Sequence, residues 1–267
     1  MKRQLLFSRR SGQGPVLVLI HGVIGSSAIW DLVVPHLEKD FDVICFDLLG
    51  YGRSPKPLGS YTPKRHVTMI HDSLEALGVS EPFYLAGLSM GALLALNYTV
   101  SYPKDVRKLI CLSLPDYTSR QEAATMTSHN AWVRLMLRHP RTGQIVIASS
   151  WALGRRVPAL GRKFAPSFYT PRMARESLLA HFRSFRSSLI HCLLRNAAKP
   201  LLAQTDKIER LFIHGDLDNW APLENLQRDL KHRPHAPLHV LPGIGHNIAA
   251  IAPDGVSRLM SEFLLSK

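Results

Sequence analysis

Residues 87–91 read Gly-Leu-Ser-Met-Gly, between an apolar run, Phe83-Tyr84-Leu85-Ala86, and a helix-forming run, Ala92-Leu93-Leu94-Ala95-Leu96. That order spells a strand, a five-residue turn with glycine at both ends, and a helix. Strand and helix backbones nearly touch at such a turn, so small residues must flank it. The turn lifts Ser89 out of the sheet edge and poises its hydroxyl as a candidate nucleophile toward an acyl carbon.

Around this turn, short Val-, Ile- and Leu-rich runs alternate with longer helical patterns. The runs are Val16–Ile20, Val43–Phe46, Phe83–Ala86, Leu109–Leu114, Leu211–His214 and Leu238–Leu241. Continuous apolar runs of this length read as parallel strands buried on both faces. Helices are expected at about 28–38, 64–77, 90–101, 222–231 and 254–265. The alternation predicts an α/β fold built on a doubly wound, mostly parallel sheet. The chain before Val16 has room for about one edge strand.

Between Leu114 and Ile208 no strand pattern appears. Helical patterns at about 119–138, 143–153 and 172–197 are separated by Pro140, Pro158, Pro166 and Pro171. The expected organisation is therefore a core of residues 1–114 and 201–267 interrupted by a helical lid over 115–200. The 267-residue length suits one such domain.

A serine hydroxyl needs a general base. Of the 13 histidines, His246 follows the last expected strand in Gly243-Ile244-Gly245-His246-Asn247, at the sheet edge where open α/β sheets place their sites. A carboxylate must then fix the imidazole tautomer and stabilise the imidazolium. Asp218, just before a helix in Gly215-Asp216-Leu217-Asp218, is the first choice; Asp216 is second and Asp116, after another strand, is third. Preorganised amides must hold the oxyanion. Met90, at the start of its helix, supplies one, and Val23, in His21-Gly22-Val23 after Val16–Ile20, supplies the other. His21 is read as a residue that holds its own loop by hydrogen bonds.

These motifs together resemble the α/β-hydrolase-fold enzymes of the small, lid-bearing type, which include esterases, meta-cleavage-product hydrolases and cofactor-free haloperoxidases. The likeness rests on His21-Gly22 with Trp30, on Asp47-Leu48-Leu49-Gly50-Tyr51-Gly52-Arg53-Ser54, on the Ser89 turn, on Gly215-Asp216-Leu217-Asp218 and on Gly245-His246. It implies a Ser-Asp-His chain order and Asp218 as the acid. Serine at position 89 disfavours the haloalkane dehalogenase and epoxide hydrolase branches, which carry aspartate there. The loop after His21-Gly22 lacks the Gly-Pro-Gly usual in meta-cleavage-product hydrolases, which weighs against carbon–carbon hydrolysis.

The expected activity is hydrolysis of a carboxylic ester through an acyl-enzyme, with no cofactor or metal. The alternatives are a thioesterase or carrier-linked ester hydrolase, a carbon–carbon hydrolase, and a non-catalytic binding module on the same fold.

Charge separates the lid from the rest. The chain carries net +13, of which residues 115–200 hold +11. On one continuous helix from Arg172 to Asn196, at about 100° per residue, Arg172, Arg175, Arg183 and Arg186 fall within roughly 80° of one another. Phe182, Phe185, Leu178 and Leu189 form an adjoining stripe. Arg155, Arg156, Arg162 and Lys163 add to the basic character. This predicts either a solvated basic face or docking of an acidic carrier protein or an anionic membrane surface. No nucleic-acid recognition module is evident.

Three cysteines without CxxC spacing argue against disulfides or a zinc site. No run of 18 apolar residues appears, and the basic opening, Met1 to Arg10, has too short an apolar part for a signal-peptide core. The expected location is the cytoplasm.

Overall fold

The computed structural model describes residues 4–128, 131–156, 170–177, 179–233 and 235–266. Among them seven strands form one sheet: β1 (Ser8–Ser11), β2 (Val16–Ile20), β3 (Asp42–Phe46), β4 (Phe83–Leu88), β5 (Val106–Leu112), β6 (Glu209–Gly215) and β7 (Leu238–Leu241). Their spatial order is β1-β3-β2-β4-β5-β6-β7. Only β1 runs antiparallel, against β3.

Period-two alternation explains the apolar runs. Leu17 and Leu19 enter one core layer with Val43 and Cys45, while Val18 and Ile20 enter the other with Ile44 and Phe46. Helices cover both faces, so the inner strands β2, β3 and β4 are apolar along nearly their whole length. The helix Met90–Ser101 is buried on nearly every side. The helix Pro63–Ala76 starts on Thr62, whose hydroxyl accepts the Arg65 amide at 3.3 Å, and has proline in its first turn. It ends just before Gly78, whose φ of +74° few other residues adopt.

The register sets the stage for a site. Ile20 pairs with Gly87, Leu88 with Leu112, Leu112 with Ile213, and Gly215 with Leu241. The loops leaving β2, β4, β5, β6 and β7 therefore start in one row. The chain order reverses between β2 and β4, where open sheets of this kind leave a crevice at their carboxyl edge.

Three expectations need correction. The helix expected at 28–38 is two short pieces, a 3₁₀ turn Ser27–Trp30 and a helix Val34–Leu37. The pattern at 119–138 is also two helices, Arg120–Ser128 and Ala131–Arg138, followed by Pro140–Arg156. The single helix expected over 172–197 is Pro171–Ser177, Phe182–Ser188 and a π-helical turn Leu189–Leu194. His181 between them is extended, with ψ 140°, and its amide donates to the Gly50 carbonyl.

The arginines thus sit on separate helices and share no single edge. Arg172 is engaged with Glu176 and Asp31. Phe182, Phe185 and Leu189 do pack inward. Leu178, Pro158, Pro166, Arg162 and Lys163 lie outside the described residues. The sequence reading also missed the helices Ala198–Gln204 and Ile248–Ile251.

All three cysteines are free and buried. Burial pushes the Cys45 and Cys111 thiols up to about 12, away from thiolate chemistry. No helix among the described residues is long and apolar enough to cross a membrane.

Candidate active site

The turn after β4 is strained in the way its sequence demands. Ser89 has φ 56° and ψ −120°, a region costly for any residue with a Cβ. Its amide donates to the Leu112 carbonyl at 2.8 Å, which fixes the turn to β5. A Cβ on Gly87 would lie 2.2 Å from the Gly91 carbonyl oxygen, and one on Gly91 would lie 2.3 Å from that of Ile20. Both glycines are thus required by backbone contact. Ser89 itself is only 5% exposed.

The imidazole of His246, from the loop after β7, comes to this hydroxyl. Nε2 lies 2.8 Å from Ser89 Oγ, and Nδ1 lies 2.8 Å from Asp218 Oδ2 and 2.9 Å from Oδ1. A carboxylate can only accept there, so Nδ1 carries the proton and Nε2 is free to take one from serine.

Asp218 is well supported. Its Oδ1 also accepts the amides of Trp220 and Ala221, each at 2.9 Å. Burial alone would raise its pKa. His246, His214 and the Ala221 amide outweigh burial and hold the carboxyl below its ordinary value. Charge is therefore kept where an imidazolium would form.

The other two carboxylates considered from sequence are engaged elsewhere. Asp216 Oδ1 accepts the Ile244 amide at 3.2 Å, tying the loops after β6 and β7 together. Asp116 is buried, and burial together with the neighbouring Asp229 carboxylate pushes it up to about 7.

His21 is fully buried. Its Nδ1 donates to the Gly22 carbonyl at 2.7 Å, and its Nε2 accepts the Leu48 amide at 2.9 Å. Burial lowers its pKa. Both ring nitrogens serve the loop, and a neutral imidazole suffices.

The two residues named for an oxyanion stand on backbones that come close together. A Cβ on Gly22 would lie 3.2 Å from that of Ser89, so the loop carrying Val23 runs against the candidate nucleophile. Among the described residues nothing accepts from the Val23 amide. Met90 is the first residue of its helix, where an amide has no intrahelical acceptor and the helix dipole favours negative charge.

Sequence reading missed several supporting groups. Ser113, just beyond β5 with φ 46°, donates its hydroxyl to the His246 carbonyl at 2.8 Å. His214, at the end of β6, donates Nε2–H to the Ala221 carbonyl at 2.8 Å and stands 3.5 Å from Asp218 Oδ2. The Trp220 ring lies 6.4 Å from that of His246, and Tyr117 donates to the Trp220 carbonyl at 2.7 Å. Position at the row of strand ends was the one signal available for Ser113 and His214. Among the described residues no group of three or more His, Cys, Asp or Glu side chains is placed to hold a metal ion.

A serine, an imidazole and a carboxylate in this order can move a proton off serine and return it to a leaving group. Known proteins share the architecture. The sequence is 24% identical to 2-(acetamidomethylene)succinate hydrolase from Mesorhizobium japonicum, covering 96% of this chain and 90% of that protein. It is 26% identical to a probable lysophospholipase, BODYGUARD 2, from Arabidopsis thaliana, over 86% of this chain and 54% of that one. The chain thus spans about half the length of that plant relative. The enol-lactonase structure from Burkholderia xenovorans LB400 superposes with a TM-score of 0.76 at 18% identity, covering 98% of this chain and 96% of that chain. The alpha/beta hydrolase fold family matches residues 15–253, nearly the whole chain, and this protein belongs to it.

Proposed function

We propose that the chain hydrolyses a carboxylic ester through an acyl-enzyme on Ser89. The observation that carries this reading is the 2.8 Å contact of His246 Nε2 with Ser89 Oγ, backed by Asp218 on Nδ1. Ser89 Oγ attacks the ester carbonyl while His246 takes its proton. The amides of Val23 and Met90 hold the oxyanion. The tetrahedral intermediate collapses, and the alcohol leaves with the proton from His246. Water then enters by the same route: His246 takes its proton, the acid is released and Ser89 is regenerated.

In this reading residues 115–200 are a lid that shapes the acyl pocket, on a core of 1–114 and 201–267. The test is turnover of p-nitrophenyl esters of graded acyl length by the wild type and by Ser89→Ala. Loss of turnover and of fluorophosphonate labelling in the variant is expected. Retained turnover removes the reading. Hydrolysis of a carbon–carbon bond, or a labelled but inert Ser89, would reassign the chemistry or make the protein a binding module.

One observation favours a narrower second reading, an acyl group presented on an anionic carrier. Residues 123–175 contain nine Lys/Arg and no Asp or Glu. Arg134, Arg138 and Arg141 on the helices there are exposed. Such a surface attracts acidic partners at low ionic strength and loses them as added salt shortens the Debye length. The comparison is one acyl group on p-nitrophenol, on an acidic carrier protein and in anionic vesicles, at low and high salt. A carrier preference that salt abolishes supports this reading. Preference for vesicles assigns the surface to a membrane, and equal rates on all three make it a solvated face.

A further inference from the structure

Glu176 is one of three acidic residues in the 115–200 stretch, and it is 1% exposed. A buried carboxylate is costly unless charged and hydrogen-bonding partners surround it. Its Oε1 accepts from Arg53 Nη2 at 2.9 Å and from Arg172 Nε at 3.1 Å. Its Oε2 accepts from the Ser26 hydroxyl at 3.3 Å. Arg172 lies on its own helix, Pro171–Ser177. Arg53 and Ser26 do not: they belong to the loops that leave β3 and β2.

Those two loops are also joined to each other. Asp47 accepts the Ser27 amide on Oδ1 at 2.6 Å and the Arg53 amide on Oδ2 at 2.8 Å. The links close a ring from Ser26–Ser27 to Asp47, to Arg53, to Glu176 and back to Ser26. Gly52 turns with φ 45° so that its Cα lies against the Asp47 carboxylate, leaving no space for a side chain there. The ring is anchored on the core at Asp47 and, among the described residues, closed from the inserted segment by Glu176, with Arg172 adding a 3.6 Å contact to Asp31 further along the same stretch. Ser26 stands three residues after Val23, on the loop that touches Ser89 at Gly22.

We propose that Glu176 is a positioning residue for the loop 21–26: by holding Ser26 it fixes where the Val23 amide points, so the helix Pro171–Ser177 must be docked for the site to be competent. This rests on the reading of Ser89 as nucleophile. It gives the inserted segment a part in aligning the oxyanion donors, separate from any contact it makes with an acyl chain. A remote misalignment of this kind acts on the transition state more than on ground-state binding.

The experiment compares the wild type with Glu176→Gln, Ser26→Ala, Ser26→Thr and the Glu176→Gln/Ser26→Ala double variant. The substrate is p-nitrophenyl acetate, whose acyl group is too short to read out a long pocket. Glu176→Gln and Ser26→Ala should each lower kcat by about 10- to 100-fold with KM within about twofold. The double variant should lose clearly less than the two single losses combined, because both singles break the Ser26–Glu176 bond, while Ser26→Ala also removes the acceptor of the Ala28 amide. Ser26→Thr, which keeps the hydroxyl, should restore most of the rate. Hydrogen exchange should quicken in 21–27 and stay unchanged in 83–101. Unchanged exchange in 21–27, faster exchange with unaltered kcat, or fully additive losses would each overturn the proposal. If Glu176→Gln does not fold, Glu176→Asp, which keeps the charge but falls short of Ser26, takes its place. If the wild type hydrolyses no ester, the functional reading fails, and hydrogen exchange alone then judges the link.

Discussion

Asp218 meets His246 with both carboxylate oxygens within 2.9 Å of Nδ1, and its Oδ1 serves the Trp220 and Ala221 amides as well. The carboxylate is thus a hub that orients the ring and is itself oriented by two backbone donors. Asp218→Asn keeps the shape, but one edge becomes an NH₂ donor. Facing Nδ1, that edge forces the proton onto Nε2, where it can no longer be accepted from Ser89. A loss of kcat of about 10³- to 10⁴-fold is expected on a p-nitrophenyl ester. Asp216→Asn, whose oxygen takes only the Ile244 amide, should stay within about threefold. Equal losses in the two variants would show that Asp218 is not the acid.

Ser113 holds His246, the proposed base, from behind. Its hydroxyl donates to the His246 carbonyl at 2.8 Å across 133 residues of chain. Ser113→Ala removes that bond and leaves the carbonyl with one donor fewer, at a cost of about 1 kcal/mol in urea unfolding. The His246 loop should then place its ring less reproducibly, and kcat should fall several-fold with KM little changed. A variant with wild-type kcat and wild-type stability would show that the contact contributes nothing.

The parts of this molecule that the sequence announces are those in which one physical rule dominates. Strands β2 to β6 are buried along most of their length, so their apolar runs are easy to place; β7 is an edge strand with His239 and Val240 exposed, read from its leucines and valine. The Gly87 and Gly91 spacing is forced by backbone contact. Residues 89, 218 and 246 each follow a strand at the same edge, and they do meet there. What stays hidden depends on long-range pairing. Nothing local marks His181 as a break before a new helix, because the arginine spacing continues through it. The break is made by the Gly50 carbonyl, which accepts both the His181 amide and the Ser184 hydroxyl. Ser113 and Glu176 are invisible for the same reason, since their partners lie more than a hundred residues away. Strand β1 reads Ser-Arg-Arg-Ser, an edge strand with no apolar run to reveal it.

Glycine positions give a paired test of the backbone argument. Gly87→Ala would drive a Cβ to 2.2 Å from the Gly91 carbonyl, where neither strand nor helix can yield. A loss of about 4 kcal/mol is expected, or roughly 10 °C in Tm. Gly255, inside the helix Pro253–Leu265, has nothing within 4 Å of its added Cβ. Gly255→Ala should stabilise by about 0.5–1 kcal/mol through helix propensity. Scanning calorimetry of the two variants beside the wild type checks both signs, and a tolerated Gly87→Ala would show that the turn is looser than its contacts imply.

Asp116 sets a pH dependence of stability. It is 1% exposed, and burial with the adjacent Asp229 carboxylate raises it to about 7, against the weaker pull of Arg228 and Lys199. In the unfolded chain it releases its proton near 3.9. Between about pH 4 and 7 the folded state therefore binds more protons than the unfolded state, so this residue makes stability fall as pH rises through that window. Asn at this position does not titrate. The Tm difference, Asp116→Asn minus wild type, should thus be small at pH 4, grow up to about pH 7 and level off by pH 8. Thermal unfolding at pH 4, 5, 6, 7 and 8 measures it. A difference independent of pH would mean that Asp116 is already ionised in the folded protein at pH 4, with Arg228 and Lys199 compensating the pair.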